Sequence, residues 1–178
     1  DRDLYLILGL FLITQLVIIK SIWNQPPIWD ASVYIGMGKR LFSSWQFGIW
    51  EAFRPLMLPV ILGALWKLGL PMIGFPYLLS TLAATAGIAA IYFIVKDLAD
   101  KKTAVYTAGI TASTSVFYSW SFNVLTGIPA SILIFIACYN VYRDKELLGG
   151  VFNGLAFLTR FPSAIVGPAL AGYVFLRD

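Results

Sequence analysis

Apolar residues along this chain come in long runs, not in the alternating or three-to-four rhythm of a water-facing domain. The first, "LYLILGLFLITQLVIIKSIW" (Leu4–Trp23), contains a single charge, Lys20. Further runs cover Pro55–Leu70, Met72–Val95, Ala104–Phe122, Gly127–Tyr142, Leu147–Thr159 and Pro162–Leu176. A helix needs about 20 apolar residues, rising ~1.5 Å each, to cross a ~30 Å hydrocarbon layer. The pattern therefore predicts an all-α integral membrane fold. Pro55–Leu70 is the exception, because it carries Pro55, Pro59 and Lys67 and reaches only ~24 Å. It reads as a helix lying in or dipping into the interface.

That leaves about six transmembrane helices in one module, residues 1–178: a first span at 1–23, an outer loop with interfacial helices at 24–71, and the remaining spans at 72–178. With the N-terminus inside, the loops "KDLADKK" (Lys96–Lys102) and "RDKE" (Arg143–Glu146) and Arg177 face the cytoplasm, as the positive-inside rule asks. A second arrangement makes Pro55–Leu70 a true span and puts the N-terminus outside. It moves Lys39, Arg40 and Arg54 inside and obeys the same rule, so charge counting does not separate the two. Length and the two prolines favour the first. The last two runs are also short, as in a tilted or re-entrant hairpin.

Composition sharpens the class. Of 178 residues, 59% are hydrophobic and 12% charged, with a mean hydropathy of +0.79; soluble domains carry about a quarter charged residues. There is no histidine, which excludes His bases, Ser-His and Cys-His nucleophile pairs and the usual zinc sites. The single cysteine, Cys138, excludes an intramolecular disulfide. Acid–base or metal chemistry falls on Asp and Glu. The net charge of +4 is spread over loops, which suits anionic lipid headgroups and not nucleic acid. The chain opens on Asp1, without a cleavable signal pattern, and is expected to be a piece of a longer protein.

The outer loop is where polar residues gather. Under the first topology it holds Asp30 and Glu51 with Lys39, Arg40 and Arg54, among Trp23, Trp29, Trp45 and Trp50; Arg160 lies on the same side. Tyr34, Met37, Leu41 and Trp45 recur at helical spacing and predict an amphipathic interfacial helix. Asp30 fits its N-cap, following Pro26-Pro27, although Val33 stands where a capping box has Glu. Glu51 reads either as a solvated acid paired with Arg54 or as a functional carboxylate. Arg54, before Pro55, suits an anion seat at a helix start or an interface anchor. Arg160, between apolar runs, needs a partner such as a lipid phosphate, Asp30 or Glu51. The stripe Thr107, Thr111, Ser115, Ser119 and the "GVFNG" (Gly150–Gly154) pattern read as helix-packing devices, with Asn123 and Asn153 as interhelical hydrogen-bond partners.

The stretches "WDASVYIGMGKRLFSSWQFGIWEAFRPLMLPVILGALWKLGL", "NVLTGIPASILIFIACYNVYR" and "GLAFLTRFPSAIVGPALAGYVFL" resemble the N-terminal module of GT-C glycosyltransferases. These multi-spanning enzymes use polyprenyl- or dolichyl-phosphate sugars and include protein O-mannosyltransferases and aminoarabinose transferases. The likeness covers almost the whole chain and is nearest to prokaryotic mannosyltransferase-like members, archaeal ones among them. It implies a GT-C-like bundle in the plasma membrane, with its active side extracellular or luminal. It also places the Pro55 helix in the outer loop. By position it implies Asp30 as catalytic base or ligand of a divalent cation (Mg or Mn), with Glu51 assisting. The loose match of "EAFRPLMLP" to an aminoarabinose-type motif brings in Glu51 and Arg54. The donor phosphate would be held by Arg54 and Arg160 with Lys39 or Arg40. One departure stands out: many relatives carry an acid just before Ile-Pro in the second outer loop, where this chain has Gly127 in "LTGIP".

The resemblance implies inverting sugar transfer from a lipid-phosphate donor to an acceptor protein, glycan or lipid. The other reading is a non-catalytic membrane module that binds lipid phosphate or serves as an assembly partner. The chain's shortness relative to such enzymes and Gly127 support it. A transporter half fits less well, since there is no internal repeat and few midplane charges.

Overall fold

A computed structural model describes residues 1–27 and 29–177, and every regular element among them is a helix. The chain runs α1 (Arg2–Ile22), α2 (Asp30–Phe42), α3 (Met57–Lys67), α4 (Phe75–Leu98), α5 (Lys101–Ser113), α6 (Ser115–Trp120), α7 (Gly127–Tyr142), α8 (Glu146–Thr159), a 3₁₀ turn (Phe161–Ile165) and α9 (Val166–Arg177).

Two helices, α1 and α4, are long and apolar enough to cross a membrane; α3, α7, α8 and the stretch 161–177 are shorter apolar helices. α1 buries a stripe of Leu4, Phe11, Gln15 and Ile19 and leaves Tyr5, Leu6, Leu10, Ile13 and Val17 exposed on its other flank. The exposed flank is a continuous apolar surface. α4 can begin at Phe75 because Pro76 sits in its first turn, where a missing N–H costs nothing. The two helices pack antiparallel. Tyr77 donates to the Gln25 carbonyl at one end, and Lys96 pairs with Asp1 (2.9 Å) at the other.

Charged residues gather at this second end. Lys101 meets Asp3 (2.8 Å), Arg143 meets Asp97 (3.5 Å), and Arg177 meets Asp144 (2.5 Å) and Glu146 (2.6 Å). The N-terminus, the α4–α5 turn, the α7–α8 turn and Arg177 therefore share one end of the bundle. Asp30, Glu51 and Arg54 lie at the other, a separation that the 24 residues of α4 set at roughly 36 Å.

α2 and α3 form a hairpin over that far end. Its 11 residues make α3 only ~17 Å long. Tyr34 and Met37 of α2 are buried as their spacing predicts, but Trp45 lies past the end of the helix and is half exposed. The apolar face packs on α3. Gly38 and Gly63 meet backbone to backbone: a Cβ on Gly63 would fall 2.5 Å from the Gly38 carbonyl oxygen, and one on Gly38 would fall 2.6 Å from that of Pro59. Gly63→Val therefore forces the two helices apart. The expected cost is about 1–3 kcal/mol of stability, read as a lowered thermal midpoint, while the same change at exposed Gly172 should leave it nearly unmoved.

Several sequence expectations need correction. The run Ala104–Phe122 is not one helix, because Thr114 is extended (φ −61°, ψ 125°) and divides α5 from α6. The hydroxyls of Ser113 and Thr114 bond back to the carbonyls of Gly109 and Ile110, the local competition that disfavours Ser and Thr within helices. The stripe from Thr107 to Ser119 is thereby broken at its middle. Gly150 and Gly154 have open space where a Cβ would go, so they make no close helix contact; neighbouring Gly149 does, against Val141 and the Ala137 carbonyl. Asn123 bonds locally to the Ser119 carbonyl instead of across helices.

Candidate functional site

Asp30 is not the N-cap of α2. It is the first helical residue, Trp29 holds the cap position with a left-handed φ of 57°, and no side chain caps the helix. The Asp30 carboxylate turns instead to Arg54, whose Nη2 donates to Oδ1 at 2.8 Å. Arg54 Nε donates to Glu51 Oε2 at 2.9 Å. The guanidinium lies 5.5 Å from the centre of the Tyr34 ring, one helical turn from Asp30. Arg54 itself is not at a helix start: α3 begins at Met57, and residues 51–54 form a turn closed by Arg54 N–H on the Glu51 carbonyl. A guanidinium thus sits as a fork between two carboxylates, with an aromatic ring beside it.

The electrostatics follow. The Arg54 hydrogen bond holds the Asp30 carboxyl below its ordinary value, more than its partial burial raises it. Arg54 is pushed further above its already high value by Asp30 first, then Glu51 and Tyr34. Asp30 is therefore ionised throughout the neutral range, and Oδ1 carries its bond to Arg54. The sign of the linkage is set by the lowered folded pKa: the pair stabilises the fold above the unfolded value of about 3.8 and loses that contribution as pH falls through the folded value. The difference in thermal midpoint between the unaltered chain and Asp30→Asn should hold constant from neutral pH down to about 4 and vanish only below it. Asp30 is half exposed, so the difference will be small.

Asp30, Tyr34 and Arg54 form part of the wall of a cleft of ≈ 940 Å³. Arg160, at the end of α8, lines the same cleft, as do Thr126 and Gly127 at the start of α7. A Cβ on Gly127 would lie 3.2 Å from Arg160 Nη1, so the glycine makes room for the guanidinium. Beneath this polar head the cleft is apolar, walled by Ile91 of α4, Phe117 of α6 and Ile128, Ile132 and Phe135 of α7. From Gly127 to Phe135 the wall descends about 12 Å along α7. The overall shape suits an amphiphile with an anionic head.

The structure brings Asp30, Glu51 and Arg54 into one hydrogen-bonded group and sets Asp30, Arg54 and Arg160 around one cleft. Glu51 touches the group through Arg54 and does not line the cleft. Lys39 and Arg40 do not line it either; Arg40 lies 5.2 Å from the centre of the Trp45 ring, which itself leans on Trp50. Sequence reasoning took Tyr34 only as part of an apolar face. Its place four residues after Asp30, on the same side of a helix, was the available signal for a role beside the acid.

The donors fit a divalent cation poorly. Two carboxylates converge on Arg54, and no third His, Cys, Asp or Glu joins them among the described residues. A metal at Asp30 would have to displace the guanidinium.

A family model described as dolichyl-phosphate-mannose-protein mannosyltransferase matches residues 54–178. The matched stretch includes Arg54 and Arg160, while Asp30 and Glu51 precede it and reach it through Arg54. No curated protein and no solved structure matches the chain.

Proposed function

From the premise that this chain belongs to the dolichyl-phosphate-mannose-protein mannosyltransferase family, we propose that it is a membrane glycosyltransferase module. It moves a sugar from a polyprenyl- or dolichyl-phosphate carrier to an acceptor hydroxyl. Protein is the acceptor in the family's description; a glycan or lipid hydroxyl would offer the same nucleophile. The observation that carries the reading is one cleft with an ionised acid and an arginine at its head and an apolar trough below.

In this reading α1 and α4 span the bilayer, and α5 with α6, α7, α8 and the stretch 161–177 complete a six-span bundle. The ion-paired end, with its short basic loops, faces the cytoplasm. The α2–α3 hairpin and the cleft head face outside or the lumen. The shortness of α3 supports this, as does the meeting of Asp1 with Lys96 at one end. A spanning α3 with an outside N-terminus would put those two residues on opposite sides.

The chemistry is an inverting displacement. The acceptor oxygen bonds to the anomeric carbon on the face away from the phosphate, the carbon–oxygen bond to phosphate breaks, and the lipid phosphate leaves with the electron pair. Asp30 takes the acceptor proton. Its basicity is lowered by Arg54, so the proton moves late, once the hydroxyl has begun to bond and become acidic. The same low pKa releases the proton to water afterwards. Arg54 fixes Asp30 through Oδ1, and Glu51 holds Arg54 from its other edge. Arg160 meets the leaving phosphate, where preorganised positive charge acts on developing negative charge. Lys39 and Arg40 belong to the loop near the headgroups, and no step runs through a metal.

The test uses the longest native form of the protein in detergent or nanodiscs with a radiolabelled polyprenyl-phosphate mannose. Transfer of label, together with thermal stabilisation by the donor, supports the enzyme. A folded sample that the donor stabilises but that transfers nothing to protein, glycan or lipid acceptors would favour the non-catalytic lipid-phosphate binder. That second reading draws on the engagement of both carboxylates by Arg54.

A further inference from the structure

Two arginines face the cleft, and they are not equivalent. Arg54 is already engaged by Asp30, Glu51 and the Tyr34 ring. The Arg160 guanidinium has no hydrogen bond or ion pair among the described residues, and it is exposed. It sits against the first turn of α7, where Gly127 offers no side chain to fill the space. Thr126, the N-cap residue, is only 9% exposed and lines the cleft, yet its hydroxyl caps nothing. A hydroxyl on the cleft wall with no partner in the helix can donate to a group that enters the cleft. The first N–H groups of α7, those of Gly127 and Ile128, have no acceptor within the helix, and Pro129 has no N–H to offer. Guanidinium, hydroxyl and helix-start amides together form a donor-rich set, the requirement of a phosphate group.

We propose that this turn, with Thr126, Gly127 and Arg160, is the seat of the phosphate group of the cleft's ligand. The ligand's apolar tail lies in the trough along Ile128, Ile132 and Phe135. The proposal rests on the reading that the cleft takes a phosphate-bearing donor, and it divides the labour: Arg160 binds phosphate while Arg54 binds the catalytic acid. Gly127 decides what the seat accepts. A carboxylate at that position would pair with Arg160 and occupy the place of the phosphate oxygens.

Binding is measured on the intact chain in detergent as the shift in thermal midpoint over a concentration series. Three probes separate head from tail: a short-chain isoprenyl phosphate, the corresponding alcohol, and inorganic phosphate. The isoprenyl phosphate should stabilise, and the alcohol should do so far more weakly. Stabilisation by inorganic phosphate at similar concentration supports the same seat with a free anion as its source; its failure supports a lipid-borne phosphate. Arg160→Ala should weaken isoprenyl phosphate binding by about tenfold to a hundredfold and Thr126→Val by roughly three- to tenfold. Gly127→Asp should abolish it. Gly127→Ala, whose methyl would crowd the Arg160 guanidinium at 3.2 Å, is the check should the aspartate variant not fold, and it should weaken binding by a few-fold. Unchanged affinity in both Arg160→Ala and Thr126→Val overturns the seat. If those two bind normally while Asp30→Asn still abolishes transfer, only the seat is wrong. If Asp30→Asn transfers normally while they lose binding, only the base is.

Discussion

Asp30→Asn should reduce turnover by about 10²–10⁴-fold at saturating donor, the usual contribution of a positioned general base. Asparagine keeps the shape of the side chain and an oxygen for Arg54 Nη2, so the α2–α3 hairpin should stay folded. The negative charge and the proton acceptor are lost. Donor affinity should change by no more than a few-fold, since the proposed mechanism assigns Asp30 to the acceptor and Arg160 to the phosphate. The measurement is a rate at several donor concentrations with donor binding followed in parallel. A loss confined to KM would move Asp30 from base to binding residue.

Arg54→Ala should give the second largest effect, a loss of about a hundredfold, the order expected when a catalytic group is misplaced by an ångström. Two carboxylates now bound to one guanidinium would be left without a counter-charge. Asp30 would lose the contact that fixes its rotamer, and its pKa would return toward the ordinary 3.8 or above it. A purely structural arginine would lower the rate without moving its pH dependence. A positioning arginine should shift the acid limb of the pH–rate profile upward, toward the ordinary carboxylate range. Arg54→Lys should recover only part of the loss, because an ammonium cannot make the fork that reaches Oδ1 of Asp30 and Oε2 of Glu51 together.

What could be read from the sequence depended on how local the cause was. α1, α4 and α7 follow from uninterrupted apolar runs, and the short α3 from Pro55, Pro59 and its length. The break at Thr114 was missed because apolar residues continue on both sides of it; the hydroxyls that turn back on the backbone leave no mark in the hydrophobic pattern. Asp30 looked like a helix cap because capping is a local preference, whereas its partner lies 24 residues away in a separate turn. The pairing of Glu51 with Arg54, three residues apart, was among the readings the sequence offered. The meeting of Gly127 with Arg160 joins the start of one helix to the end of the next and has no signature in spacing. Gly38 and Gly63 carry the close helix contact that the "GVFNG" pattern advertises elsewhere, since the pattern shows only that two helices could approach there. Lys39 and Arg40 joined the candidate site on charge alone, and charge does not say which way a helix is turned.

The central claim is that Asp30 is the base and Glu51 only holds Arg54. Its most direct test is single-turnover transfer by the longest native form, preloaded with donor, comparing the unaltered protein with Asp30→Asn and Glu51→Gln. Glu51 lies outside the cleft lining, and replacing it leaves Arg54 its bond to Asp30. Glu51→Gln should therefore stay within about tenfold of the unaltered rate, the order of one hydrogen bond to a charged group, while Asp30→Asn falls by 10²-fold or more. Near-normal transfer by Asp30→Asn, or a loss in Glu51→Gln as deep as that in Asp30→Asn, would contradict the account.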